Sequence, residues 1–118
     1  ICYSDEKWLE FILNQIIINS IKYKRDNGAI ITIKVEESKE NVKLKIMDNG
    51  IGIKASEIDR IFDKGFTGTN GRIQKKSTGI GLYLCKRLCD ELGMSIEARS
   101  KENEFTEIVL IIPRDKKD

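Results

Sequence analysis

Apolar and polar positions follow two different periods along the chain, and each change of period marks an element boundary. A helix is predicted from Ser4, whose hydroxyl suits an N-cap and precedes two acidic residues, through the isoleucines to about Lys24. Residues 29–36 (AIITIKVE) and 42–47 (VKLKIM) then alternate as strands do. The polar SKEN between these two segments predicts an antiparallel hairpin.

The second half of the chain is likewise predicted to form helices followed by two strands. Ser56 is predicted to cap a short helix, EIDRIFDKG, and the glycine-dotted FTGTNGRIQKKST that follows predicts a mobile loop. A second long helix is predicted from Ile80 to Leu92, with Gly93 just past its end. Leu84, Cys85, Leu88 and Leu92 are predicted to lie together on one apolar face of this helix. Two strands, MSIEARS and EFTEIVLIIP, complete the chain, and Pro113 ends the last one.

This order predicts an α+β fold, a two-layer sandwich in which helices cover one face of a mixed, mostly antiparallel sheet. The 118 residues, 40% hydrophobic and 34% charged, indicate a single folded domain over 1–118, with 114–118 as a polar tail. A net charge of +2 does not favour a nucleic-acid partner. There is no signal peptide or membrane-spanning run, and because the chain begins at Ile1 we expect a fragment of a longer protein.

Cysteine and histidine usage restricts the chemistry. The three cysteines, Cys2, Cys85 and Cys89, do not form a disulfide framework, so a reducing compartment is expected. Cys85 and Cys89 are predicted to be small thiols in the core rather than zinc ligands. The chain contains no histidine, which excludes Ser-His-Asp and Cys-His catalysis and any phosphoacceptor histidine within it.

One face of the first helix is polar within a run of isoleucines, NQIIINSIKY. Gln15, Asn19, Lys22 and Tyr23 are at i, i+4, i+7 and i+8 and therefore project to the same side. Either this face is an ordinary solvent-exposed stripe, or it forms the floor of a binding pocket. The helix alone does not decide between the two.

Two glycine-rich segments, DNGIGI at 48–53 and STGIGLYL at 77–84, lack the signatures of a P-loop and of a dinucleotide-binding turn. Each taken singly is most simply a tight turn. However, DNGIGI leaves a strand, so Asp48 is at a strand end where its carboxylate can point into a crevice. STGIGLYL opens a helix, and its free backbone N–H groups at residues 79–82 suit an anion. The loop before it adds positive charge from Arg72, Lys75 and Lys76.

Together these segments resemble the ATP-binding catalytic domain of bacterial sensor histidine kinases, the Bergerat fold that gyrase and MutL share. NQIIINSIKY is similar to the N box of that family, DNGIGI to its G1 box, IFDKGF to its F box and STGIGLYL to its G2 box. The resemblance covers residues 5–113 with the four boxes in order. Within the family, the chain looks most like the short intramembrane-sensing kinases of the bacitracin-response type.

The resemblance implies ATP and Mg²⁺ as ligands. Asn19 would coordinate Mg²⁺ through its amide oxygen and Lys22 would contact phosphate, which makes these two the implied catalytic residues. Asp48 would accept a hydrogen bond from the exocyclic amine of adenine. Further nucleotide-binding positions implied by the family are Gln15, Tyr23, Gly50, Gly52, Ile53, Phe62, Phe66, Arg72, Thr78, Gly79, Ile80, Gly81, Leu82 and Thr106. Residues 66–77 would form a lid over the nucleotide.

Three positions depart from the family pattern. Gln15 stands where hydrolysing relatives have glutamate, and because an amide cannot act as a base, ATP hydrolysis is disfavoured. Phe105 replaces the usual glycine before Thr106, at the adenine end of the pocket. The F box, IFDKGFTG, differs from the commoner form around the candidate cations of the lid, Lys64 and Arg72, and this departure weakens their assignment.

The implied function is that of a protein-histidine kinase that transfers the γ-phosphoryl group of ATP to a histidine on a separate dimerisation domain of the full-length protein. A response regulator would act downstream. The fragment is expected to be monomeric, the full-length protein a homodimer, and this domain cytoplasmic in a membrane-bound sensor. Two alternatives remain: a serine kinase of the anti-sigma or switch type on the same fold, or a nucleotide-sensing module that transfers nothing.

Overall fold

The structure, a computed structural model, describes residues 3–22, 24, 27–64 and 81–114. It contains two α-helices and four strands. In chain order they are α1 (Tyr3–Lys22), β1 (Ile31–Glu37), β2 (Asn41–Asp48), α2 (Gly81–Leu92), β3 (Ser95–Lys101) and β4 (Phe105–Pro113). A single turn of 3-10 helix, Ile58–Arg60, lies between β2 and α2. These boundaries agree with the predicted helices and strands to within about two residues.

The four strands form one sheet in the order β1-β2-β4-β3. β1 and β2 form the predicted hairpin, β3 and β4 form a second hairpin, and β2 and β4 join the two. Each of these three pairings is antiparallel, and no parallel pair occurs in the part of the chain that the structure describes. The predicted α+β architecture is confirmed.

The core lies between the two helices and one face of the sheet. α1 contributes Ile12 and Ile16, four residues apart on one helical face, and both are completely buried. α2 contributes Cys85 and Cys89, which are equally buried. The strands contribute a third group of buried side chains: Ile46, Ile96, Ile108 and Leu110.

The cysteines are core residues, as predicted. Burial raises the pKa of the Cys85 thiol to about 12 and that of Cys89 to about 11, so both stay protonated and unreactive at neutral pH. However, the prediction of the buried face of α2 was wrong in one detail. Leu84, predicted to lie on that face, is 38% exposed.

The predicted end of α2 at Gly93 and the helix predicted after Ser56 had different outcomes. Gly93 follows α2 with a φ of +76°, and the N–H of Met94 donates to the carbonyl of Cys89 at 2.8 Å, a Schellman end. The helix predicted after Ser56 is wrong, since over its described part, residues 57–64, only one 3-10 turn forms. Glu57, without a side-chain hydrogen bond, occupies the N-cap position of that turn. A nine-residue segment is too short to sustain a helix without extensive packing.

The outer strand β1 is exposed along its whole length. Ile33 on β1 is directly opposite Ile46 on β2, yet it is 54% exposed whereas Ile46 is 1% exposed. The helices therefore cover β2, β4 and β3 but leave the apolar side chains of β1 open. Neither helix in the described residues combines the length and apolar character needed to cross a bilayer.

Candidate functional site

The helix-facing side of the sheet changes from apolar to polar at one end. Two successive rows across β2, β4 and β3 are hydrocarbon: Leu44–Leu110–Ile96 and Ile46–Ile108–Ala98. The next row is Asp48–Thr106–Ser100. Side chains directly opposite each other in an antiparallel pair share a face, so these three polar groups lie side by side at the end of the core.

Asp48 is the charged member of this row and is only 6% exposed. Its Oδ1 accepts a hydrogen bond from the N–H of Gly50 at 2.9 Å, and the buried Ser20 of α1 donates a second one. Burial raises the pKa of the Asp48 carboxyl, and these two hydrogen bonds only partly offset the increase. A buried carboxylate that is already held by two donors is a suitable acceptor for a ligand N–H group.

The glycine loop after Asp48 is packed against the turn between β3 and β4. Gly52 has a φ of +73°, and a Cβ atom at this position would overlap the backbone oxygen of Lys101. The N–H of Asn103 donates to the carbonyl of Ile51 at 2.7 Å. Glycine is therefore needed at position 52 for both its conformation and its close contact with the neighbouring backbone, apart from any ligand.

The polar face of α1 adjoins the start of α2. Gln15, Asn19 and Lys22 are all half-buried, whereas Ile18 on the outer side of α1 is 56% exposed. A Cβ atom on Gly81, the first residue of α2, would lie 2.7 Å from Oε1 of Gln15. The Gln15 amide thus lies beside the start of α2, and the partial burial of Gln15, Asn19 and Lys22 argues against an open, solvent-exposed stripe.

The remaining predicted site residues fall into two groups. Gly50 is buried, and Ile53, Phe62 and Leu82 are half-buried side chains packed against the core. Lys64, a candidate cation of the lid, is exposed and lies over the ring of Tyr83, 5.9 Å from its centroid. Outside the described residues lie the lid at 66–77 and the predicted contacts Tyr23, Phe66, Arg72, Thr78, Gly79 and Ile80.

Two hydroxyl groups at the site, those of Ser20 and Ser100, were not predicted from the sequence. Ser20 follows Ile12 and Ile16 at the same four-residue spacing, so it continues the buried face of α1. Ser100 continues the alternation of Ile96 and Ala98 along β3. In both cases a polar residue occupies a position where the period requires an apolar one, and that interruption was the available signal.

The described residues also limit what kind of metal site is possible. Within them, no group of three or more histidine, cysteine or acidic side chains is placed to hold a metal ion. Asn19 offers an amide oxygen, a hard ligand of the kind that Mg²⁺ accepts. A protein with one such ligand fits an ion that takes its other ligands from water and from phosphate oxygens.

Comparison with known proteins agrees with this geometry. The family model of the histidine kinase-, DNA gyrase B- and HSP90-like ATPases matches residues 4–116. The chain is 39% identical over 110 residues to the sensor protein BceS of Bacillus subtilis, covering 93% of this chain and 32% of that protein. It is 38% identical over 112 residues to the sensor histidine kinase GraS of Staphylococcus haemolyticus, covering 95% of this chain and 32% of that protein.

Solved structures show the same fold. The mycobacterial sensor histidine kinase MprB superposes with a TM-score of 0.78 at 18% identity, over 91% of this chain and 72% of that one. The catalytic domain of the histidine kinase ThkA gives a TM-score of 0.74 at 26% identity, over 91% of this chain and 67% of that one. The chain spans about a third of the length of the curated relatives that it matches.

Proposed function

We propose that this chain, which belongs to the histidine kinase-, DNA gyrase B- and HSP90-like ATPase family, binds ATP with Mg²⁺ and delivers the γ-phosphoryl group to a histidine outside the chain. The observation that carries the proposal is the buried carboxylate of Asp48 at the polar end of an otherwise hydrocarbon sheet face. Its hydrogen bonds from Gly50 and Ser20 only partly offset the cost of burying it, so a ligand group that donates to this carboxylate is favoured.

At the base end of the site, Asp48 accepts a hydrogen bond from the exocyclic amine of adenine. Gly50 and Ser20 already donate to this carboxylate, so they hold it in place as an acceptor before the ligand arrives. Thr106, 7% exposed and directly opposite Asp48, lies beside the same edge of the base. Half-buried Ile53 provides apolar surface next to the glycine loop.

At the phosphate end, the N-terminal end of α2 at Gly81 is proposed to offer backbone N–H groups to the phosphates. The neighbouring polar face of α1 supplies Lys22 as a cation for phosphate and Asn19 as a ligand for Mg²⁺. When bound, the metal neutralises charge on the phosphate oxygens. Residues 66–77, with Arg72, are proposed as the lid, and Tyr23, Phe66, Thr78, Gly79 and Ile80 as further contacts.

The site positions a phosphoryl group but does not activate an attacking water. Gln15 lies at the start of α2, where a carboxylate would be needed as a base, and an amide cannot take a proton from water. The chain has no histidine, so the acceptor is proposed to lie on a dimerisation domain of the whole protein, a cytoplasmic part of a membrane-bound homodimer. A response regulator then receives the phosphoryl group.

Two measurements test the proposal. Titration calorimetry of the chain with ATP, with and without Mg²⁺, is expected to show Mg²⁺-dependent binding. Incubation with γ-labelled ATP is expected to label an added dimerisation domain but not the chain itself, with hydrolysis at background. Labelling in trans is expected to be weak, since the covalent tether that raises the effective concentration is absent.

The alternative functions give different results in the same experiments. Acid-stable label on serine of an added partner would favour the serine kinase, because phosphohistidine is lost in acid. ATP binding without transfer to any acceptor would favour the nucleotide-sensing module. Sustained hydrolysis by the isolated chain would contradict the kinase proposal and place the chain with the hydrolysing members of the family.

A further inference from the structure

Ser100 occupies the third position in the polar row, next to Thr106, and its hydroxyl has three close neighbours. It lies 2.7 Å from the backbone N of Ile53, 2.6 Å from the carbonyl oxygen of Phe105 and 3.0 Å from Oγ1 of Thr106. Ile53 is the last residue of the glycine loop, 47 positions away in the chain. This one hydroxyl therefore joins three separate backbone and side-chain groups around the site.

The direction of each hydrogen bond follows from the chemistry of the partners. A hydroxyl has one proton to donate and two lone pairs. The carbonyl of Phe105 only accepts, so a 2.6 Å contact requires that Ser100 give its proton there. The N–H of Ile53 only donates and takes one lone pair of Ser100. The second lone pair remains for Thr106, which must therefore be the donor in the 3.0 Å contact.

This arrangement fixes the role of the Thr106 hydroxyl as a hydrogen-bond acceptor toward a ligand. Since its proton is directed to Ser100, the oxygen of Thr106 presents only lone pairs on its other side. Asp48 is directly opposite Thr106 in the strand register and is likewise an acceptor. Two neighbouring acceptors match an amino group with two N–H donors, as in adenine, and they mismatch a carbonyl oxygen at the same place, as in guanine.

We propose that Ser100 is a positioning residue that determines base specificity: it holds Thr106 as an acceptor and fastens the end of the glycine loop to strand β3. The inference rests on the proposed ATP-binding function and adds a residue to it. Ser100 acts through Thr106 and Ile53, without touching the base. Two further contacts, Asn103 with Ile51 and Lys101 with Gly52, dock the same loop, so the loop stays folded when the Ser100 hydroxyl is removed.

The test compares ATP and GTP binding to the wild-type chain and to Ser100→Ala, by calorimetry for ATP and by competition for GTP, with Mg²⁺ present. Loss of the hydroxyl is expected to weaken ATP about fivefold to tenfold, the effect of one hydrogen bond. GTP is expected to be unaffected or to bind better, because the Thr106 hydroxyl is then free to rotate and donate to a carbonyl. The ratio of ATP affinity to GTP affinity is therefore expected to be lower in Ser100→Ala than in the wild-type chain.

Control variants separate this role from a structural one. Ser100→Thr keeps the hydroxyl on a residue that suits a strand, and it is expected to retain the wild-type ratio of ATP to GTP affinity. Ser95→Ala, at an exposed position on the same strand, is expected to leave that ratio unchanged. If Ser100→Ala does not fold, Ser100→Cys, a weaker donor and acceptor, replaces it in the comparison. An unchanged ATP-to-GTP ratio in a folded variant would overturn the inference alone. Failure of the wild-type chain to bind ATP would instead refute the proposed function.

Discussion

Replacing Asp48 by asparagine tests two effects of this residue separately: its effect on the stability of the fold and its contribution to ATP affinity. The substitution keeps the shape of the side chain, and the structure fixes its orientation. The Gly50 N–H, 2.9 Å from Oδ1, requires an oxygen at that position, so the new amide nitrogen stands where Oδ2 was. The hydroxyl of Ser20 both donates and accepts, and it adapts to either atom.

The expected loss of ATP affinity follows from that orientation. In the wild-type chain the ligand amine meets a charged acceptor, and in the variant it meets another N–H donor. A hydrogen bond to a charged group contributes about 1.5–3 kcal/mol, which corresponds to a roughly tenfold to 150-fold weaker Kd. Titration calorimetry at neutral pH measures this directly. An unchanged Kd would refute the assignment of Asp48 to the base.

The folded state of the same variant is expected to be at least as stable as that of the wild-type chain at neutral pH. Burial raises the pKa of Asp48 above its ordinary value of 3.8, so the native state holds this proton more tightly than the unfolded chain does. The wild-type chain therefore loses stability as the pH rises from 3.8 through the raised pKa, whereas Asp48→Asn does not. Thermal unfolding from pH 4 to 7 should show a difference that grows in favour of the variant. A difference that grows in favour of the wild type would mean that Asp48 stabilises the fold as an anion.

Three further substitutions test the site and the core. Asn19→Ala should abolish the Mg²⁺ dependence of ATP binding while the midpoint of thermal unfolding changes little, and a large loss of stability with normal binding would make Asn19 a structural amide. Gly52→Ala should cost about 2 kcal/mol or more in urea unfolding, because its Cβ overlaps backbone, whereas Gly28→Ala, with a similar φ of +69° and open space, should cost about 1 kcal/mol. Ile46→Ala should destabilise by about 2–5 kcal/mol and Ile33→Ala, at 54% exposure, by well under that; equal losses would show that β1 is covered in solution.

The two long helices and the four strands were predictable from the sequence because the period of the apolar residues changes sharply between them. What the pattern did not resolve was which residues of α2 face the core. Leu84 was predicted to be buried along with the two cysteines, yet it is 38% exposed whereas Cys85 and Cys89 are fully buried. The structure selects the two thiols, and Sγ of Cys85 lies 3.8 Å from the carbonyl of Ile12, so small side chains let α2 approach α1 closely.

The candidate site was predictable only where a residue type points to its chemistry on its own. A carboxylate at a strand end marks Asp48, but nothing near Ser100 in the sequence indicates that it joins the same site. That connection depends on the pairing of β2 with β4 and of β4 with β3, contacts between distant parts of the chain. The pattern shows only that a serine replaces an apolar residue, and the strand register is needed to show what lies beside it.

The polar row Asp48–Thr106–Ser100 is less favourable for the stability of the fold than an apolar row would be. The two rows before it are filled by aliphatic side chains, and a third such row would continue the core without any buried charge. In the described residues every fully buried side-chain nitrogen and oxygen has a hydrogen-bond partner, so the row is not a packing defect. Even so, the pKa of Asp48 remains raised, which means that its partners do not fully replace the hydration it loses. A ligand amine that donates a hydrogen bond to this carboxylate replaces part of the lost hydration. The same hydrogen bond therefore both binds the ligand and stabilises the folded state.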